Sequence, residues 1–98
     1  MDISELRKQI DHIDRQLVSL FQERMSVSAQ IADDKKGKGL PVYDASRESE
    51  LLESIAKMAN PELEEYTVSL YQTILSLSRT YQEQIIAKAA SSTDMEVH

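Results

Sequence analysis

The first thirty-six residues hold no glycine and no proline. Over most of that length apolar residues recur at alternating steps of three and four: Ile3, Leu6, Ile10, Ile13, Leu17 and Leu20, then Val27 and Ile31. That period is the mark of one helix packed lengthwise against others. Asp2 or Ser4 can cap its start, with Glu5 in the first turn. The stop comes near Lys36, where "KGKGLP" brings glycines and then a proline. At about 1.5 Å per residue the rod is about 50 Å long. A compact chain of this size has a radius of gyration of roughly 13 Å, so such a rod is expected to need a second chain to cover it.

The rest of the sequence extends the same theme. Ninety-eight residues make one domain, near the lower limit for a core without staples. Two glycines, two prolines and one phenylalanine, with abundant Leu, Ile, Glu, Gln and Ser, predict an all-α chain with no strands. A second, short helix is expected from about Asp44, carrying Leu51, Leu52, Ile55 and Met58. A third, long one opens at "NPELEE", with Asn60 as cap and Pro61 at the first helical position. Its stripe runs Leu63, Tyr66 or Thr67, Leu70, Ile74, Leu77, Tyr81 and Ile85, ending near Ala90. Residues 1–90 are read as the domain and 91–98, "SSTDMEVH", as a polar, disordered tail.

Composition also narrows the chemistry. Cysteine is absent and only two histidines are present, so neither disulfides nor a metal centre are expected. A net charge of −6 speaks against nucleic acid as a partner. No apolar run reaches membrane-spanning length, and "MDISELRKQ" is too acidic and polar for a secretory signal. The expectation is a soluble, cytoplasmic protein with no membrane contact.

Against this background the interruptions of the stripes stand out. Arg24 falls on the seam between Leu20 and Val27, and Lys35 follows three turns later on nearly the same face, about 16 Å away. In the second helix Asp44, Arg47 and Glu48 share the face of Leu51 and Ile55, and in the third Ser78 and Gln82 stand one turn apart beside Leu77 and Tyr81. Arg7 is a further candidate, but seventeen residues before Arg24 puts it about 25 Å along the axis. It could join the same site only from another chain. Each residue alone has a plainer reading. Arg24 could set register in a helical seam, paired with Glu48 or Asp44; Asp44 could be a helix cap, Lys35 a cation at a helix C-terminus, and Arg7, Glu48, Ser78 and Gln82 ordinary solvated or interfacial residues. Their coincidence argues otherwise. Gathering that many cations costs several kcal/mol unless an anion neutralises them, and two carboxylates from the same chain do not suffice for four. A dianionic ligand would.

The blocks "ELRKQIDHIDRQLVSLFQERM", Lys35, "PVYDASRESELL" and "SLSRTYQ" together resemble the all-α class of chorismate mutases, from about Glu5 to Gln82. The resemblance implies three helices per chain, an intertwined homodimeric helical bundle, and two equivalent sites that convert chorismate to prephenate on the route to phenylalanine and tyrosine. Such a rearrangement needs no nucleophile, proton relay, metal or cofactor. By motif position, Arg24 and the partner's Arg7 grip the substrate carboxylates, with Arg47 supporting them. Lys35 and Gln82 match the groups that hydrogen-bond the ether oxygen. Glu48 and Asp44 fall where the ring hydroxyl is bound or Lys35 is supported, and Ser78 matches a supporting contact. Catalysis is thereby expected from Lys35, Gln82, Arg24 and Glu48. Two rival readings share the sequence features: an isochorismate pyruvate lyase on the same scaffold, and a non-catalytic helical dimerisation module in which Arg24 only sets register.

Overall fold

The computed structural model describes the backbone of residues 2–97 and the side chains of residues 2–89. Three helices account for nearly all of it: α1 (Ile3–Lys38), α2 (Ala45–Met58) and α3 (Glu64–Val97). No strand occurs among the described residues. The chain is all-α, as composition and periodicity predict.

The helix ends are set by local chemistry. Asp2 caps α1, its side chain accepting from the Glu5 N–H at 2.9 Å. At the other end α1 passes through Gly37 and stops two residues beyond the expected Lys36. Gly39, not Gly37, takes the left-handed conformation, at φ 68°. Its N–H reaches the Lys36 carbonyl at 3.2 Å and the Leu40 N–H reaches that of Lys35 at 2.8 Å, the paired bonds of a Schellman stop. Asp44 caps α2 by accepting from the Arg47 N–H at 3.0 Å. Asn60 accepts from the Glu62 N–H at 3.1 Å and opens a 3-10 turn, Pro61–Leu63, that runs directly into α3. From there α3 continues to Val97, past the end expected near Ala90, because no glycine or proline follows Pro61 to break it. The backbone of 91–97 is therefore helical where a tail was expected, and His98 lies outside the described residues.

α3 is the spine. Both α1 and α2 pack on it, and they meet it rather than each other, which leaves a cleft between them over one stretch of α3. Among the described residues the buried apolar side chains are few: Ala32 of α1, Ile55 of α2 and Leu75 of α3. The molecule is extended, with principal dimensions of 64 × 30 × 14 Å and a radius of gyration of 17.8 Å, well above the roughly 13 Å of a compact chain this size. Residues 2–23 are exposed throughout, the apolar seam from Ile3 to Leu20 included. No described helix is long and apolar enough to cross a membrane.

Candidate active site

The cleft between α1 and α2 encloses a cavity of about 580 Å³. Its walls come from all three helices and the α1–α2 connection. α1 contributes Leu20, Glu23, Arg24, Val27, Ser28, Ile31 and Lys35; α2 and its cap contribute Asp44, Arg47, Glu48 and Leu51. Val42 comes from the connection, and α3 adds Leu75, Ser78, Arg79 and Gln82. Seven of the eight residues singled out from sequence thus line one space: Arg24, Lys35, Asp44, Arg47, Glu48, Ser78 and Gln82. Arg7 is not among the walls and stands exposed in the outer part of α1.

Helical spacing explains the α1 wall. Arg24, Ser28, Ile31 and Lys35 follow one another by four, three and four residues, so they form one stripe facing the cleft. Arg24 and Lys35 are half-buried. The Lys35 ammonium donates to the Val42 carbonyl at 2.7 Å, which ties the end of α1 to the connection and keeps the charge at the cavity wall. An ammonium has three N–H donors, so two remain for other acceptors.

The α2 wall departs from expectation in one contact. Glu48 had been weighed as a partner for Arg24; instead it forms an ion pair with Arg79 of α3. Arg79 also lies over the Tyr43 ring, 5.1 Å from its centroid. The hydrogen bond it donates to Glu48 holds the guanidinium above its ordinary range despite partial desolvation, and electrostatic interactions with Glu48, Tyr43 and Glu83 act in the same direction. Asp44 does serve as a cap, and in doing so it fixes the first turn of α2 from which Arg47 and Glu48 project.

The polar residues are buried most deeply where α1 meets α3. Ser28, Ser78 and Gln82 are 4%, 7% and 7% exposed. The Ser28 and Ser78 hydroxyls share a hydrogen bond at 2.5 Å, and the Gln82 amide Nε2 donates to Ser28 Oγ at 2.8 Å. The other end of that amide, Oε1, is buried without a partner. Buried polar atoms are nearly always paired, so an orphan on a cavity-lining residue is informative about what the cavity takes.

Charge completes the description. The cations on the walls are Arg24, Lys35, Arg47 and Arg79, and the carboxylates are Glu23, Asp44 and Glu48. Sequence reasoning counted Arg7 as the fourth cation and overlooked Arg79, Glu23 and Ser28. Ser28 was within reach, since it sits one turn from Arg24 on the stripe that ends at Lys35. The Arg79–Glu48 pair bridges 31 positions along the chain, and no local pattern announces it. The space has the chemistry of an anion receptor: one net positive charge, a hydroxyl–amide cluster, and apolar walls from Leu20, Val27, Ile31, Leu51 and Leu75.

Known proteins with related sequences agree with this picture. A chorismate mutase from Methanocaldococcus jannaschii is 28% identical over 86 residues, covering 86% of this chain and 87% of that protein. A bifunctional chorismate mutase/prephenate dehydratase from Aquifex aeolicus is 31% identical over 90 residues, covering 86% of this chain but 25% of the relative. A T-protein from Haemophilus influenzae is 36% identical over 52 residues, 53% of this chain and 14% of its own length. The sequence profile of chorismate mutase type II matches residues 6–83, a span that includes all eight site residues. The chain belongs to the chorismate mutase type II family.

Proposed function

We propose that the chain converts chorismate to prephenate in a site completed by a second copy of itself. One observation carries this reading: four cations from three helices line a single cavity against three carboxylates, while Arg7, the remaining candidate, lies outside it. Arg7 brought from a partner chain raises the excess to two positive charges, the complement of a dicarboxylate. The bare seam from Ile3 to Leu20, which carries Arg7, is the surface by which that second copy docks.

The reaction is a pericyclic rearrangement, and the protein's task is to fold the substrate and stabilise one developing charge. Arg24 and the partner's Arg7 clamp the two carboxylates, bringing the enolpyruvyl arm over the ring, and Arg47 supports the clamp. Carbon–oxygen cleavage runs ahead of carbon–carbon bonding in the transition state, so negative charge gathers on the ether oxygen. Lys35 and the Gln82 amide donate there, in a space walled by apolar side chains, and favour the transition state over the ground state. Glu48, held by Arg79, accepts from the ring hydroxyl. Asp44 and Ser78 hold α2 and Gln82 in place.

Loss of chorismate absorbance with purified protein, with the product identified, tests the reaction: prephenate is expected, and release of pyruvate from isochorismate instead would assign the chain a lyase activity. The shared site is tested by mixing. Arg7→Ala and Arg24→Ala chains, each inactive alone, are refolded together at equal amounts. Half of the dimers are then mixed, each with one intact site of two, so about a quarter of the wild-type specific activity returns if sites are shared in a two-fold dimer. A mixture as inactive as its parents would rule out sharing.

A further inference from the structure

Ser28 has no part in the reading above, yet it is the most buried polar side chain among the described residues and touches both Ser78 and Gln82. We infer that Ser28 is a positioning residue whose hydroxyl reverses its hydrogen-bonding direction to present the Gln82 amide nitrogen to the substrate. This rests on the assignment of Gln82 as a donor to the ether oxygen.

The atoms themselves define the problem. A primary amide offers an acceptor at one end and two N–H donors at the other, whereas a hydroxyl both donates and accepts. In the observed arrangement Gln82 gives its nitrogen to Ser28 at 2.8 Å, and its oxygen Oε1 is left buried without a partner. A half-turn of the amide exchanges the two ends within the same volume. Oε1 then accepts from the Ser28 hydroxyl, Ser28 Oγ accepts from the Ser78 hydroxyl 2.5 Å away, and the NH₂ group takes the place of the orphaned oxygen. Every protein polar group of the cluster is then paired except the two N–H donors, and these are what an ether oxygen carrying developing charge requires. An alanine at 28 could anchor neither orientation. Neither could an apolar residue that merely filled the space. The Ser78–Ser28–Gln82 line is therefore a short relay whose polarity is set by the ligand, with Ser28 at its pivot.

Ser28→Ala, examined alone and in a Gln82→Ala background, tests this. Loss of one hydrogen bond that orients a donor is expected to lower kcat about tenfold, with KM and melting temperature close to wild type. In the Gln82→Ala background the same substitution should change kcat by less than about twofold, because the group it orients is gone. A tenfold loss in both backgrounds, or none in either, overturns the inference. An independent readout needs no turnover: in protein labelled with ¹⁵N-glutamine, the Gln82 side-chain amide, assigned by its absence in Gln82→Leu, is expected to give two sharp signals that broaden in Ser28→Ala. Unchanged signals in that variant also overturn the role of Ser28. Should the wild-type protein form no prephenate, it is the assignment of the reaction that falls, and the amide signals still decide whether Ser28 holds Gln82.

Discussion

The two halves of α1 belong to one uninterrupted helix and live in different surroundings. From Ile3 to Leu17 its apolar seam is bare, while from Leu20 to Lys35 the same helix lines a cavity and packs Ser28 and Ala32 against α3. The periodicity is identical in both. What differs is the cover: the second half finds part of it within the chain, although Val27 and Ile31 stay 54% and 45% exposed, and the first half finds almost none. Hydrophobic spacing therefore specifies which face of a helix is to be covered, but not by whose residues.

The largest test of this contrast strikes the bare half. Ile13→Asp combined with Leu17→Asp places two carboxylates on the seam where, in the proposed dimer, the second copy docks, at a desolvation cost of several kcal/mol per ion. The dimer is expected to dissociate, with activity falling below detection although neither residue lines the cavity; sedimentation and the chorismate assay read both. Wild-type activity in that variant would mean the outer half of α1 needs no cover. A smaller effect is expected at the other end. Lys35→Ala removes the donor proposed for the ether oxygen and is expected to cost about 3 kcal/mol or more of transition-state stabilisation, a fall of at least a hundredfold in kcat/KM, with no change in sedimentation. Equal turnover would put the electrophilic role on another cation. The smallest effect sits at the corner that closes the cavity half. Gly39→Ala meets no atom within 4 Å, but it forces a Cβ into a left-handed residue at φ 68°. That costs about 1 kcal/mol of stability, measurable as a lower denaturant midpoint, with kcat almost unchanged.

The same contrast explains how much could be read in advance. Helix identities and most boundaries follow from local signals: Asp2, Asp44 and Asn60 act as the caps their residue types predict, and the Ile3–Ile31 spacing alone dictates a rod. Seven residues that line the cavity were also legible, because a polar or charged residue on an apolar stripe is conspicuous. Arg79 was not, since it lies beside Ser78 in a block whose stripe is otherwise regular, and its meaning depends on Glu48 in another helix. The choice between Gly37 and Gly39 as the stop was equally closed to inspection, since both glycines permit the left-handed turn and only the hydrogen bonds to Lys35 and Lys36 decide. Where a residue's role is set by neighbours in sequence it can be read, and where it is set by neighbours in space it cannot.

One dimension of the molecule has an outcome of its own. A chain 14 Å thick is scarcely wider than a single helix with its side chains, which measures about 10–12 Å, so an isolated copy has hardly any inside. In the proposed dimer the folded state draws part of its stability from the encounter of two copies, and melting is then expected to depend on concentration. Diluting the protein should lower its melting temperature without any change in buffer, and the number of copies present sets how long each one keeps its shape.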